Sequence, residues 1–167
     1  MRTMRHGCGA GCEHAALRIQ PAGPAVREAS NSRWGIMTFE IKMLALSIVL
    51  GLVQIVLASH AASLQRGYRW TASARDEAMP ALTGVAGRLG RALNNFVETF
   101  PLFAAAVLAA HLAGRHGWMT EWGAGLYFGG RIAYVACYAA GIVLVRSLIW
   151  NVATLGIILM LLALVWR

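Results

Sequence analysis

Apolar residues are concentrated in four long runs, at residues 43–62, 96–113, 122–145 and 147–166. Each run holds about 18 to 24 residues, and about 20 residues of α-helix cross the roughly 30 Å hydrocarbon core of a bilayer. Charged or small residues separate the runs. The pattern predicts an all-α integral membrane protein in which four transmembrane helices form a four-helix bundle.

Charged and amide side chains enter the second run, where lipid tolerates them poorly. Four of them are spaced by three, four and three residues: Arg88, Arg91, Asn95 and Glu98. On an α-helix this spacing places them on one face. An ionised side chain at mid-bilayer costs roughly 2.5 to 3.5 kcal/mol on insertion scales, so we expect the stripe to face a polar cavity or a partner helix. Pro101, which lacks an amide hydrogen, predicts a kink just beyond the stripe.

The third run carries a second polar stripe. Arg131, Tyr134 and Tyr138 are spaced by three and four residues, and Arg146 follows at the end of the run. Because adjacent spans are antiparallel, we expect Tyr138 and Arg146 to lie at the depth of the first stripe. Together the stripes would offer guanidinium groups for carboxylates and amide, acid and hydroxyl groups for a peptide, which suits a small anionic peptide.

Spacing alone leaves a simpler interpretation open. Arg91 and Glu98 can neutralise each other between helices, and Tyr134 and Tyr138 can serve as aromatic residues at the membrane interface. Under that interpretation the polar groups only hold helices together. Gly125-x-x-x-Gly129 favours close helix packing under either interpretation and does not distinguish them.

Composition agrees with the membrane class and indicates an orientation. The chain has 167 residues, 58% of them hydrophobic and 13% charged, with a net charge of +8. The arginines are scattered between apolar runs with no basic surface interleaved with aromatic residues, which argues against nucleic acid as a partner. Five arginines lie in the first loop or its flanks, Arg66, Arg69, Arg75, Arg88 and Arg91, and Arg146 lies on the same side. The positive-inside rule therefore predicts that the first loop and Arg146 face the cytoplasm.

Residues 1–36 differ from the remainder of the chain and predict a disordered N-terminal extension or a mis-assigned start, leaving 37–167 as the membrane domain. Cys8, Cys12 and His14 lack the further ligands that a structural zinc site needs, so no metal is expected. His60 and His111 end two antiparallel spans on opposite sides and cannot ligate one haem iron.

The two stripes resemble the membrane-associated proteins in eicosanoid and glutathione metabolism, the MAPEG family, in its bacterial-type form. The resemblance extends over about residues 40–167. It depends on the pattern Arg-x-x-Arg-Ala-x-x-Asn-x-x-Glu-x-x-Pro from Arg88 to Pro101, followed by Arg131-x-x-Tyr-x-x-x-Tyr138 and Arg146. Gly67 and the Arg75-Asp76-Glu77 loop also resemble bacterial-type members. Thr99 departs from the pattern, because glutathione-binding members commonly have a tyrosine there.

The resemblance implies a homotrimer in the bacterial inner membrane, with glutathione as co-substrate between neighbouring subunits and a small lipophilic second substrate. The residues implied in glutathione binding match the family positions: Arg91, Asn95, Glu98, Arg131, Tyr134 and Tyr138. Arg146 would be the catalytic residue near the sulfur, where a guanidinium favours the nucleophilic thiolate. The expected reaction is that of a glutathione, or other small-thiol, transferase or peroxidase acting on lipophilic electrophiles.

A second class of function stays open, so the sequence does not establish that the protein is an enzyme. A non-enzymatic membrane protein of the same fold would use its polar stripes to bind a lipid or an anionic ligand, or to hold an assembly together. Replacement of Arg91 or Arg146 by lysine distinguishes the two classes. A role of charge alone should survive, whereas bidentate recognition of a carboxylate should not.

Overall fold

The computed structural model describes residues 37–74, 76 and 78–166. This part of the chain forms five α-helices and no strand: α1 (Phe39–Arg66), α2 (Tyr68–Thr71), α3 (Gly84–Leu112), α4 (Trp118–Ala140) and α5 (Val143–Val165). The all-α prediction is therefore confirmed for the described residues. The predicted extension at residues 1–36, with Cys8, Cys12 and His14, lies outside them, as do Arg75, Glu77 and Arg167.

The four long helices pack into one bundle. α4 packs along α5 and α1 along α3, while α4 also contacts α1 and α3. At the centre of the bundle the rings of Phe103 and Tyr127 stack with centroids 3.9 Å apart, and Val107, Ala153 and Met160 are fully buried around them. The apolar positions of α3, α4 and α5 thus form the core that fixes these three helices against one another.

Three of the long helices, α1, α3 and α5, are long and apolar enough to cross a membrane. α4 is not among them, because glycine, tyrosine and tryptophan residues dilute its apolar character and Glu121 and Arg131 add charges. The prediction of an integral membrane protein agrees with these helices. The count of four transmembrane spans remains a prediction.

The boundary between the third and fourth long helices differs from the prediction. α4 ends at Ala140, and Gly141 follows in the left-handed conformation with φ 82°. The Gly141 amide donates to the Tyr138 carbonyl at 3.1 Å and the Ile142 amide to the Cys137 carbonyl at 3.0 Å, a Schellman motif that ends a helix. Arg146 therefore lies in the first turns of α5, and not at the end of the third run as predicted.

α4 and α5 approach closely at glycines that the sequence pattern did not identify. A Cβ atom added at Gly156 would lie 2.5 Å from the Gly123 carbonyl oxygen, and one at Gly130 would lie 3.0 Å from the Ala153 Cβ. By contrast, no atom lies within 4 Å of a Cβ added at Gly129. The predicted Gly125-x-x-x-Gly129 pair is thus wrong as the close contact, since these residues lie on a different face of α4 from Gly123 and Gly130.

At the opposite end of the bundle from the α4–α5 turn, a buried acid joins α1 to α4. Glu40 is 3% exposed, and its Oε1 accepts a hydrogen bond from the Thr120 hydroxyl. The His116 Nδ1 lies 3.5 Å from the same oxygen, and the Gly117 amide donates to the Thr120 hydroxyl at 3.1 Å. This contact fixes the start of α1 against the start of α4.

Candidate functional site

The α3 stripe meets α4 where small and aromatic side chains pack together. Ala92 is 1% exposed and lies against Tyr134 and Tyr138. A helix repeats every 3.6 residues, so Asn95, three residues later, also lies on the side of α3 that faces α4. Asn95 is partly buried there. The small Ala92 therefore brings the amide of α3 within reach of the polar residues of α4.

Arg131 is a guanidinium buried inside the bundle, with 1% of the residue exposed. Its Nη1 donates to the Asn95 Oδ1 at 2.7 Å, and its Nη2 donates to the Thr99 hydroxyl. The guanidinium carbon lies 5.2 Å from the Tyr127 ring centroid and 5.6 Å from that of Tyr134. Among the described residues no carboxylate pairs with Arg131, so neutral acceptors and aromatic faces solvate its charge.

Tyr138 and Arg146 meet across the α4–α5 turn. The Arg146 guanidinium carbon lies 4.5 Å from the centroid of the Tyr138 ring, and the Tyr134 and Tyr138 rings meet edge to face at 5.3 Å. Because the turn contains only Gly141 and Ile142, the first turns of α5 lie directly beside the last turn of α4. The stacking orients Arg146 toward the tyrosines and α3.

These residues surround a cavity of about 240 Å³ between α3, α4 and α5. Its lining is mainly polar and aromatic: Asn95, Tyr134, Tyr138, Arg146, Ser147, Trp150 and Asn151. The lining contains one cation and no carboxylate, and a second cation, Arg131, lies directly behind Asn95. The arrangement favours an anionic group in the cavity.

The structure brings together five of the seven predicted site residues. Asn95, Tyr134, Tyr138 and Arg146 line the cavity, and Arg131 contacts it through Asn95. Arg91 and Glu98 instead are exposed on the surface of α3 and do not line it. Within the described residues no ion pair joins Arg91 to Glu98, so their mutual neutralisation, the simpler interpretation of the sequence, is not formed inside one protomer.

Several residues of the site were not identified from the sequence. Thr99 was noted only as a departure from the family pattern, yet its hydroxyl accepts from Arg131 and lies 3.5 Å from the Tyr127 hydroxyl. Tyr127 lies four residues before Arg131, so the spacing of the α4 stripe could have included it. Ser147 and Asn151 follow Arg146 on α5 and were missed because this run was read as an apolar span, whereas Trp150 was interpreted as an anchor at the membrane interface.

The other candidate groups that lie within residues 37–166 do not form a site. Among the described residues no three His, Cys, Asp or Glu side chains lie together as a metal site. His60 contacts the Tyr68 hydroxyl at 3.3 Å near the end of α1, whereas His111 stacks edge to face on His116 between α3 and α4. The two histidines therefore belong to separate parts of the bundle.

Comparison with protein families identifies a match to most of the chain. The model described as the MAPEG family matches residues 43–166, which is well over half of the chain and includes all of the cavity lining. Comparison with curated proteins and with solved structures gives no significant match.

Proposed function

The chain belongs to the MAPEG family, and from this premise we propose that it is a membrane-embedded transferase or peroxidase that uses glutathione or another small thiol. The observation that carries the proposal is the polar cavity between α3, α4 and α5. It contains Arg146 and two tyrosines beside the Asn95 amide, and its lining holds no carboxylate. A cavity of this kind suits an anionic thiol and not a cationic one.

Arg146 supplies the chemistry that thiol activation needs. A free thiol has a pKa near 8.5, and a neighbouring cation lowers that pKa because it stabilises the thiolate. The guanidinium stays protonated throughout. The thiol proton leaves to solvent, and the thiolate sulfur forms a carbon–sulfur bond with an electrophilic carbon, either displacing its leaving group or adding to a conjugated double bond. With a peroxide, the sulfur attacks one oxygen, the oxygen–oxygen bond breaks, and proton uptake from solvent gives an alcohol and a sulfenic acid. A second thiol molecule then converts the sulfenic acid to a disulfide and water. Lipophilic acceptors reach such a site from the bilayer.

We further propose that the working unit is a homotrimer with the thiol held between neighbouring subunits. Two observations support an intermolecular site. Arg91 and Glu98 are exposed within α3, an apolar helix long enough to cross a membrane, where lipid would leave their charges unsolvated. The cavity of about 240 Å³ is also smaller than the roughly 300 to 1,000 Å³ usual for a small-molecule site. A second copy that covers α3 would both solvate the charges and enlarge the cavity.

The proposal includes an orientation in the bacterial inner membrane, with the first loop and Arg146 on the cytoplasmic side. The arginines that support it lie at one end of the bundle. Arg66 and Arg69 adjoin the loop after α1, and Arg88 lies in the second turn of α3. The Arg88 guanidinium lies 3.3 Å from a Cβ added at Gly141 in the α4–α5 turn. The positive-inside rule places this end in the cytoplasm, where thiols are kept reduced.

The test is the ultraviolet difference spectrum of thiolate formed when glutathione is added to the purified protein in detergent. We expect a thiolate band in the wild type that Arg146→Ala abolishes and Arg146→Lys restores only in part. Arg115→Ala is the matched control. Arg115 is an arginine in the α3–α4 connection, away from the cavity, so this variant should retain the band.

Absence of the band, together with absence of glutathione binding by calorimetry, would rule out the thiol-transferase proposal. A band that persists in Arg146→Ala would instead rule out Arg146 as the activating group. If both the band and glutathione binding are absent, we expect the protein to use the family fold without catalysis, either to bind a lipid or an anionic ligand or to hold an assembly together.

A further inference from the structure

The hydrogen bond between Arg131 and Asn95 fixes which way the Asn95 amide faces. A guanidinium has only donors, so the Asn95 atom that lies 2.7 Å from Nη1 must be the acceptor Oδ1. The NH₂ group then lies on the other edge of the planar amide. No hydrogen bond within the described residues restrains that NH₂ group, and Asn95 lines the cavity. The amide therefore offers donors to a ligand.

Thr99 holds the guanidinium that orients this amide. Its hydroxyl accepts from the Arg131 Nη2 and lies 3.0 Å from the Asn95 backbone carbonyl, to which it donates. With its single proton directed to that carbonyl, the oxygen can only accept from Arg131, and it can also accept from the Tyr127 hydroxyl 3.5 Å away. Arg131 thereby bridges two residues one turn apart on α3. Since it is 1% exposed and absent from the cavity lining, it acts through Asn95 and does not contact a ligand.

The remaining groups around the cavity also favour an acceptor on the ligand. Arg146 carries a charge, and the Trp150 indole nitrogen is buried with no hydrogen-bond partner in the described part of the chain. Asn151 uses one N–H of its NH₂ group for the Ser147 carbonyl at 2.9 Å, and its second N–H is left as a donor beside its acceptor oxygen. No carboxylate lines the cavity. Glu98, one turn after Asn95, acts on Tyr134 electrostatically but is exposed on the surface of α3, so two arginines outweigh one exposed acid around the cavity.

We propose that Arg131 and Thr99 are positioning residues that lock the Asn95 NH₂ group toward the cavity, so that the cavity selects a thiol bearing a carboxylate over one bearing an ammonium group. The proposal rests on the proposed function for the use of a thiol. In this proposal Arg131 orients the Asn95 amide and does not bind the ligand directly. The role of Thr99 is to hold Arg131 through its hydroxyl.

The selectivity is tested by calorimetry with two small thiols on the purified protein in detergent. N-acetylcysteine carries a carboxylate and no ammonium group, whereas cysteamine carries an ammonium group and no carboxylate. We expect the wild type to bind N-acetylcysteine at least about tenfold more tightly than cysteamine, the factor that one charge-assisted hydrogen bond supplies. Equal binding of the two thiols would overturn the proposal.

Asn95→Asp tests the orientation of the amide. The aspartate keeps an acceptor for Arg131 but places a carboxylate oxygen where the NH₂ group lay. We expect N-acetylcysteine binding to fall by at least about tenfold and the preference over cysteamine to be lost. Unchanged binding of N-acetylcysteine would show that the Asn95 NH₂ group does not face the ligand.

Thr99→Val and Thr99→Ser separate positioning from packing. Valine keeps the shape of threonine but removes the acceptor for Arg131, whereas serine keeps the hydroxyl. We expect N-acetylcysteine binding to weaken by roughly three- to tenfold in Thr99→Val and to return to within about twofold of wild type in Thr99→Ser. Equal weakening in both variants would indicate packing and overturn the role of the hydroxyl. Thermal unfolding of each variant shows whether the fold is retained.

The proposed function and this inference can fail separately. Glutathione that produces no thiolate band contradicts the proposed function, while a preference for N-acetylcysteine that Asn95→Asp abolishes would still support the positioning of the amide. Conversely, a thiolate band with no discrimination between N-acetylcysteine and cysteamine leaves the proposed function standing and removes the inference.

Discussion

The buried guanidinium of Arg131 needs hydrogen-bond acceptors, and the charge of those acceptors determines the electrostatic potential in the neighbouring cavity. Its two terminal nitrogens bind one amide and one hydroxyl on α3, both neutral. Because no carboxylate pairs with it in the described residues, the positive charge is not cancelled locally. The potential in the adjacent cavity therefore stays positive, to which Arg146 adds.

At the residue scale, two glycines of α3 differ in what surrounds them. A Cβ atom added at Gly87 would clash with the Leu82 carbonyl oxygen, whereas nothing lies within 4 Å of one added at Gly90. We expect Gly87→Ala to destabilise the protein by about 1 to 3 kcal/mol, since backbone must move. Gly90→Ala should stabilise it by up to about 1 kcal/mol through helix propensity. Thermal unfolding in detergent compares them, and equal melting temperatures would contradict the prediction.

Helical spacing in the sequence predicts which side chains share one face of a helix, and this much of the site could be predicted. Tyr134, Tyr138 and Asn95 were placed in this way, and the structure puts all three at one cavity. Spacing cannot tell which side of a stripe turns inward, and so Arg91 and Glu98, exposed on the surface of α3, were expected in the same place. We expect Arg91 and Glu98 to contact the second copy that is proposed to cover this surface of α3.

At the element scale, the α4–α5 contact positions the site, because Tyr138 lies on one helix and Arg146 on the other. A Cβ atom added at Gly156 would lie 2.5 Å from the Gly123 carbonyl oxygen and 2.9 Å from the Tyr127 amide nitrogen. We expect Gly156→Ala to force the helices apart, to lower the melting temperature by several degrees and to weaken thiolate formation.

Gly129→Ala is the control for this contact, since a Cβ atom there meets nothing within 4 Å. Thermal unfolding and the thiolate band are measured on both variants. If the two variants behaved alike, the close approach of α4 and α5 at Gly156 would not be what holds the site.

Helix boundaries were the least predictable part of the fold. Hydropathy merges the end of α4 with the start of α5, because Gly141 and Ile142 interrupt neither the apolar character nor the length of the run. The break comes from backbone conformation, a left-handed glycine and two hydrogen bonds, which hydropathy does not detect. The acid at Glu40 was likewise overlooked, since its partners on α4 are remote in sequence.

At the scale of the whole molecule, the charged side chains exposed on α3 lead us to expect that the protein assembles into an oligomer. We expect native mass spectrometry of the protein released from detergent to show three copies. Glu98→Ala and Arg91→Ala should weaken the assembly, or its affinity for glutathione, because both side chains are exposed in the span. Leu102→Ala is the control, an exposed apolar residue of the same helix. A monomer that still forms the thiolate band would contradict the intermolecular site.

The two-residue turn after α4 has a consequence for how the protein enters the membrane. α4 falls short of the apolar character that a lone span needs, whereas α5 meets it. With only Gly141 and Ile142 between them, the two helices can leave the translocation machinery as one hairpin, in which α5 supplies the free energy of insertion for both. Membrane insertion would then tolerate charged and glycine residues in α4, the helix that supplies Tyr134 and Tyr138 to the site. The apolar α5 would compensate for the polar residues that ligand binding requires in α4.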